Sequence, residues 1–228
     1  MSARILLLIK QLSMNITIFG ASGQTGSLLL EQALKQGHHV TAYVRKASRV
    51  KMRHQNLQVI EGNLNNMELL CKSLKGRQAV ISALGVSKTL HSDPEVVQGI
   101  RNIVMAMARE NVTRLIYMSV FLADSKPGEF SFFARRILKY IIRKEVEDHE
   151  LKERIVRECV NDYTLVRPVR LHNKAFPGKF HHGETITSDA ILPSISRADV
   201  SSFIIQQLTD RTYNRKAVRI MMEADRKN

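Results

Sequence analysis

Ile16-Thr17-Ile18-Phe19-Gly20-Ala21-Ser22-Gly23-Gln24-Thr25-Gly26-Ser27-Leu28-Leu29-Leu30 is the stretch from which the rest of the chain is read. A short β-branched run breaks into three glycines, each three residues after the last, and passes at once into apolar residues at helical spacing. That pattern calls for strand, tight turn and helix. Gly20 supplies the dihedral freedom of the turn, Gly23 keeps a side chain out of the path of a pyrophosphate, and Gly26 lets the helix lie close on the sheet. N–H groups at the helix start have no partner inside the helix and face the diphosphate of a dinucleotide. Alone, the glycine triplet also reads as a structural turn. The helix from Leu28 to Lys35, its stop at Gly37 and a second β-branched run, Val40-Thr41-Ala42-Tyr43-Val44, complete the βαβ unit that dinucleotide binding requires.

The 228 residues contain no Pro/Gly/Ser-rich linker and fit one domain, expected over 14–222 with a tail at 223–228. Arg4-Ile5-Leu6-Leu7-Leu8-Ile9-Lys10 is too short for a membrane span and lacks the cleavage site of a secretory signal. Because Met14 already opens a complete first strand, residues 1–13 read as an extension from an upstream start. The alternative is a helix or strand that covers a neighbouring surface. Cys71 and Cys159 form neither a disulfide framework nor a C-x-x-C site, which points to a reducing compartment and a cytoplasmic location. Thirty-five Lys plus Arg against 21 Asp plus Glu give a net charge of +14, which assists any anionic partner and selects none. The bases are scattered, without a zinc finger or an RNA-binding aromatic signature, so direct nucleic-acid binding is not expected.

Where an NAD-specific site places a carboxylate after the second strand, this chain has Arg45, Lys46 and Arg49. A carboxylate repels a 2′-phosphate and these bases pair with it, so NADPH is expected over NADH. Arg49 by itself also reads as a solvated charge. Further strands are expected at Leu57 to Gly62, Ala79 to Ala83, Arg114 to Met118, Tyr163 to Val166 and Ala217 to Met221. They alternate with helices ending at Leu74, Glu110 and Cys159. The expected fold is α/β and doubly wound, with a mostly parallel sheet and a small C-terminal substrate lobe lacking its own core. Ala83, Leu84 and Gly85 bring the chain close to the cofactor at the carboxyl edge, and Ser119 is delivered to the same edge. On the helix from Pro94 to Glu110, Val97, Ile100, Ile103, Val104, Met107 and Ala108 make an inward stripe, with Met105 and Met107 both read as packing residues. His181-His182-Gly183-Glu184 lacks helical H-E-x-x-H spacing and a further close ligand, so no metal is assigned to it. Asp199 reads as a cap or structural carboxylate.

The glycine motif, with Gln24 and Thr25 between its last two glycines, resembles the Gly-Ala-Ser/Thr-Gly-x-Thr-Gly signature of atypical short-chain dehydrogenase/reductases. That group includes NmrA-like proteins and the flavin reductase also called biliverdin reductase B. The resemblance runs from Met14 to about Met222 through Val40 to Arg45, Ala79 to Gly85, Gly99 to Val104, Ser119 to Leu122, Tyr163 to Pro168 and Ile195 to Val200. It implies a Rossmann-type domain whose cofactor contacts are Gly20, Ala21, Ser22, Gly23, Gln24, Thr25, Gly26, Arg45, Arg49, Asn63, Leu64, Ala83, Leu84, Gly85 and Ser119. Asn63 stands where relatives carry an aspartate beside the adenine, and an amide still donates and accepts there. Ser119 matches the serine that faces nicotinamide and substrate in short-chain reductases; a lone serine also reads as a turn residue.

Tyr140-Ile141-Ile142-Arg143-Lys144 has the tyrosine-lysine spacing of a carbonyl reductase, in which a nearby ammonium lowers the phenol pKa. Counted from Tyr163 to Pro168, however, the family's tyrosine and lysine places fall on Glu145 and His149, and the flavin-reductase-like branch commonly has a histidine at the latter. His149 is therefore the expected polar wall or weak proton source, beside Ser119. An oxidised flavin takes hydride into a delocalised ring and its proton from water, so no tyrosine acid is required. The resulting expectation is NADPH-dependent reduction of flavin or another planar acceptor. A nucleotide sensor or scaffold without turnover, and a carbonyl reductase using Tyr140 and Lys144, are the alternatives. Phe130, Phe132 and Phe133 admit three readings: a wall for a planar substrate, a lid on the core, or, with the neighbouring arginines, a membrane-surface patch.

Overall fold

The computed structural model describes residues 13–85, 94–124, 143–174, 178–186 and 193–223. The expectations for residues 1–12, Phe130, Phe132, Phe133, Tyr140 and the tail from 224 lie outside them. In chain order the elements are β1 (Asn15–Phe19), α1 (Gln24–Lys35), β2 (His39–Val44), β3 (Leu57–Glu61), α2 (Met67–Leu74), β4 (Ala79–Ser82), α3 (Pro94–Arg109) and β5 (Arg114–Met118). Then follow α4 (Arg143–Cys159), β6 (Asp162–Pro168), β7 (Arg170–His172), β8 (Phe180–Gly183), β9 (Ser194–Ser196), α5 (Arg197–Gln206) and β10 (Lys216–Met222).

Eight strands form one sheet in the order β3-β2-β1-β4-β5-β6-β10-β8, parallel throughout except for the antiparallel edge strand β8. The strand order reverses between β1 and β4, which opens a crevice at their carboxyl ends. Near-continuous apolar runs such as Ala79-Val80-Ile81 suit strands covered on both faces. One face buries Ile16, Ile18 and Ile81 under Leu29, Leu30 and Ala33 of α1 and Val200, Phe203 and Ile204 of α5. The other buries Phe19, Val80 and Tyr117 under α2, α3 and α4. The structure is thus a doubly wound Rossmann-type α/β fold with additional C-terminal elements.

Several local readings change. The stretch from Val169 to Asn173, outside the expected strands, contains β7, which pairs in parallel with β9 as a separate two-stranded sheet. His181 and His182 lie on β8, where His182 Nδ1 meets the Tyr213 hydroxyl at 2.8 Å. Met105 is 49% exposed and does not pack inward, and Ala106 rather than Ala108 is buried, because the helix turns these positions past the edge of its apolar stripe. The reading of Asp199 holds as the structural carboxylate rather than the cap: it accepts from the Ser196 hydroxyl at 2.6 Å and from Gly178 N at 3.2 Å, while Ser196 caps α5.

Two buried arginines stand opposite one another in the register of β6 and β10, Arg167 beside Arg219. Arg167 makes a two-pronged pair with Glu153 of α4, Nε to Oε1 at 2.9 Å and Nη2 to Oε2 at 2.5 Å. The same guanidinium is 3.6 Å from the Asp124 carboxylate. Arg219 donates to the carbonyls of Asp124 and Glu184, and its guanidinium lies 5.6 Å from the Phe121 ring centre. Asp124 N donates to Glu150 Oε1 at 3.0 Å. The turn after β5 is therefore strapped to two strands and to α4.

Candidate functional site: a nucleotide cleft at the sheet's carboxyl edge

The crevice at the switch point is a cleft of about 490 Å³. Its centre is the turn between β1 and α1. Gly20 has φ +81°, and a Cβ there would lie 2.6 Å from the Ala83 carbonyl oxygen. At Gly26 a Cβ would lie 2.0 Å from the Gly20 carbonyl oxygen, so the first turn of α1 sits against the end of β1 only because both residues lack side chains. Gly23, the N-cap of α1, contributes no capping side chain. The first-turn N–H groups of the helix are consequently left to an anion. Ser22, Gln24 and Thr25 complete this wall, whereas Ala21 is buried in the core beneath it.

Toward β2 and β3 the cleft is walled by Tyr43, Val44, Arg45 and Arg49, then by Gly62, Asn63, Leu64 and Asn65. A short 3-10 turn, Ala47–Arg49, carries Arg49 and is held by Glu61, whose carboxylate accepts from Ala47 N at 2.7 Å. The Tyr43 hydroxyl donates to the Asn63 carbonyl at 2.7 Å, and burial raises the phenol pKa. Asn63 Oδ1 accepts from Asn65 N at 2.9 Å, which engages the carbonyl end of the amide and leaves Nδ2 as its donor. This loop is fixed from α3: Asn102 Nδ2 donates to the Leu64 carbonyl at 2.8 Å, and Gly99 leaves room for the Leu64 side chain.

Toward β4, β5 and β6 the walls are Ala83, Leu84 and Gly85, then Glu95 and Val96 of α3, and finally Met118, Leu171 and Arg197. The site expectations for the glycine turn, Arg45, Arg49, Asn63, Leu64 and Ala83 to Gly85 thus meet in one cavity, apart from Ala21. Ser119 and His149 do not line it. Ser119 is 3% exposed; its N donates to Val166 O at 2.7 Å, and its hydroxyl has no partner among the described residues. His149, 4% exposed, faces the Tyr117 hydroxyl through Nδ1 at 3.3 Å. Burial, with the nearby Lys152 ammonium adding to it, drives the imidazole pKa down to about 3. Tyr117 is pushed well above its usual value, mainly by burial and then by Glu153 and Asp148. At neutral pH the pair is therefore a neutral imidazole against a neutral phenol. Lys144 is exposed at the start of α4.

The profile of a family described as NAD(P)H-binding matches residues 20–211, the span from the glycine turn to beyond α5. The chain belongs to this NAD(P)H-binding family. Uncharacterized protein YwnB of Bacillus subtilis is 26% identical over 223 residues, covering 93% of this chain and all of YwnB. A short-chain dehydrogenase/reductase of Veillonella parvula, solved in complex with NADP, superposes with a TM-score of 0.74 at 24% identity, covering 93% of this chain and 95% of that one. A candidate NADH-flavin reductase of Streptococcus pneumoniae gives a TM-score of 0.72 at 21% identity, over 92% and 100% of the two chains. At these identities the structural likeness establishes the fold. Sequence reasoning missed several of the residues lining this cleft, among them Arg197, Glu95 and Met118. The detectable signal for Arg197 was an arginine directly after the Ser196 cap. Among the described residues no helix is long and apolar enough to cross a membrane.

Proposed function

We propose that this protein is an NADPH-dependent oxidoreductase of the flavin-reductase-like kind, acting on a flavin or another planar acceptor. The observation that carries the reading is the division of the cleft. Its β2 end presents Arg45 and Arg49, while its β5–β6 end presents Met118 and Leu171 with no tyrosine among the described lining residues there. Arg45 and Arg49 pair with a 2′-phosphate, and the uncapped first turn of α1 receives the diphosphate. Asn63 Nδ2 reaches the adenine. When bound, the nicotinamide supplies a hydride. Met118 and Leu171 offer apolar surface on which a planar ring aligns and water is excluded, which is where rate is gained when no protein acid takes part. The buried Ser119 hydroxyl, without a partner among the described residues and next to Met118 in the chain, serves as a positioning hydrogen-bond donor behind the cleft wall. His149, neutral at physiological pH, orients Tyr117 and leaves the acceptor's proton to water.

Steady-state oxidation of NADPH with FMN, FAD, quinones and aldehydes tests this. Flavin turnover is expected, with Ser119→Ala lowering kcat/KM by roughly threefold to tenfold, the loss of one hydrogen bond, and Tyr140→Phe leaving it near the parent value. Aldehyde reduction abolished by Tyr140→Phe would instead assign the chemistry to Tyr140 and Lys144. Tight NADPH binding without any acceptor would make the protein a sensor or scaffold.

A further inference from the structure

Among the described residues the cleft is lined by three arginines and one carboxylate, Glu95, and the arginines lie at opposite ends. Arg45 and Arg49 follow β2. Arg197 lies at the other end, beyond β6, and that placement is enforced by the small sheet. The β7–β9 register sets Leu171 opposite Ile195 and His172 opposite Ser196, which brings the first residue of α5 alongside Asn173. There Arg197 Nη1 donates to Asn173 Oδ1 at 2.8 Å. The nearest carboxylate in sequence, Asp199, is buried and taken up by Ser196 and Gly178. Among the described residues no carboxylate lies within ion-pair distance of Arg197. Its known partner is a neutral amide, which orients the guanidinium without compensating its charge.

We propose that Arg197 is the anion-recognising residue of the acceptor half of the cleft, so that the preferred acceptor is a planar ring carrying a phosphate group. The inference rests on the flavin-reductase reading and adds the charge of the substrate to it. A guanidinium held by one edge keeps its remaining N–H groups in a fixed fork that matches a phosphate. The cofactor's own anions have other partners: the 2′-phosphate has Arg45 and Arg49, and the diphosphate has the N-terminal turn of α1. The apolar surface for the ring, Met118 and Leu171, adjoins Arg197. One wall therefore supplies both halves of a recognition site for a ring with an acidic tail.

FMN and riboflavin share the ring system and differ in the phosphate. Each is titrated into the full chain saturated with NADP+, following quenching of flavin fluorescence, in the parent, Arg197→Met and Arg197→Lys. The parent is expected to bind FMN roughly 10- to 100-fold more tightly than riboflavin, as for a charge-assisted hydrogen bond. Arg197→Met should remove that preference by weakening FMN alone, and Arg197→Lys should restore part of it. NADPH affinity, read from the nucleotide's own fluorescence, should stay within about twofold of the parent, which also certifies the fold. Equal affinity for the two flavins in the parent, or a preference that survives Arg197→Met, overturns the assignment. So does a loss of NADPH affinity with the flavin ratio unchanged, which would place Arg197 on the cofactor's diphosphate. Absence of binding by either flavin would remove the flavin reading and this inference together, and is distinct from equal binding by both.

Discussion

Acidification should destabilise this protein through His149, and the size of the effect follows from its burial. The imidazole is 4% exposed, with a pKa near 3 in the folded chain against an ordinary 6.5. Between those values the unfolded chain binds a proton that the folded chain refuses, so stability falls as pH falls; above 6.5 the site contributes no pH dependence. At pH 5.5 the penalty is about 1.4 kcal/mol, and at pH 4.5 about 3 kcal/mol, which lowers Tm by roughly 6–12 °C for a chain of this size. Other groups titrate over the same range, including His182, whose pKa is also lowered by burial. The measurement is therefore a difference: Tm against pH from 7.5 to 4.5 for the parent and for His149→Gln, which keeps an acceptor for Tyr117 and cannot be protonated. The variant's profile should be flatter by that amount, whatever its stability at pH 7.5. Parallel profiles would show that His149 is hydrated or already charged in the native state and would refute the reasoning.

Arg45→Ala should weaken NADPH binding by about tenfold or more while leaving NADH nearly unchanged, since one nucleotide alone offers the extra phosphate. Fluorescence titration of both decides it, and equal losses would remove Arg45 from the 2′-phosphate site. Glu153→Gln leaves Arg167 buried without its carboxylate and should cost about 3–5 kcal/mol in thermal or urea unfolding. A loss below about 1 kcal/mol would mean that Asp124 or water takes over the guanidinium.

The order of elements was legible because the strands from β1 to β6 carry β-branched or apolar runs and α1 and α3 carry apolar stripes. Gly20 and Gly26 announced the turn because no other residue fits there. The arginines at 45 and 49 were legible for the same local reason: they follow the strand that ends at the cleft. Elements defined by distant pairing were not. β7 and β9 are three residues each and exist because they pair with one another across more than twenty residues of chain, which leaves no periodicity to read. Arg197 escaped notice as a cleft residue for the same reason, since only that register brings it to the edge. His149 lay in the anticipated helix register, but sequence could not foretell that α4 buries a whole polar face, Asp148, His149, Lys152 and Glu153, against the sheet. Helical spacing of charged residues ordinarily signals a solvated side.

The paired arginines on β6 and β10 have a consequence for how this chain can vary. Asp124, with φ +50°, is gripped through its carbonyl by Arg219, through its carboxylate by Arg167 and through its N–H by Glu150. One residue is thus fastened by three bonds of different chemistry, to β10, to β6 and to α4. A change at Arg219, Arg167 or Glu150 alone leaves Asp124 on the other two, so this corner of the sheet can vary one post at a time without coming loose.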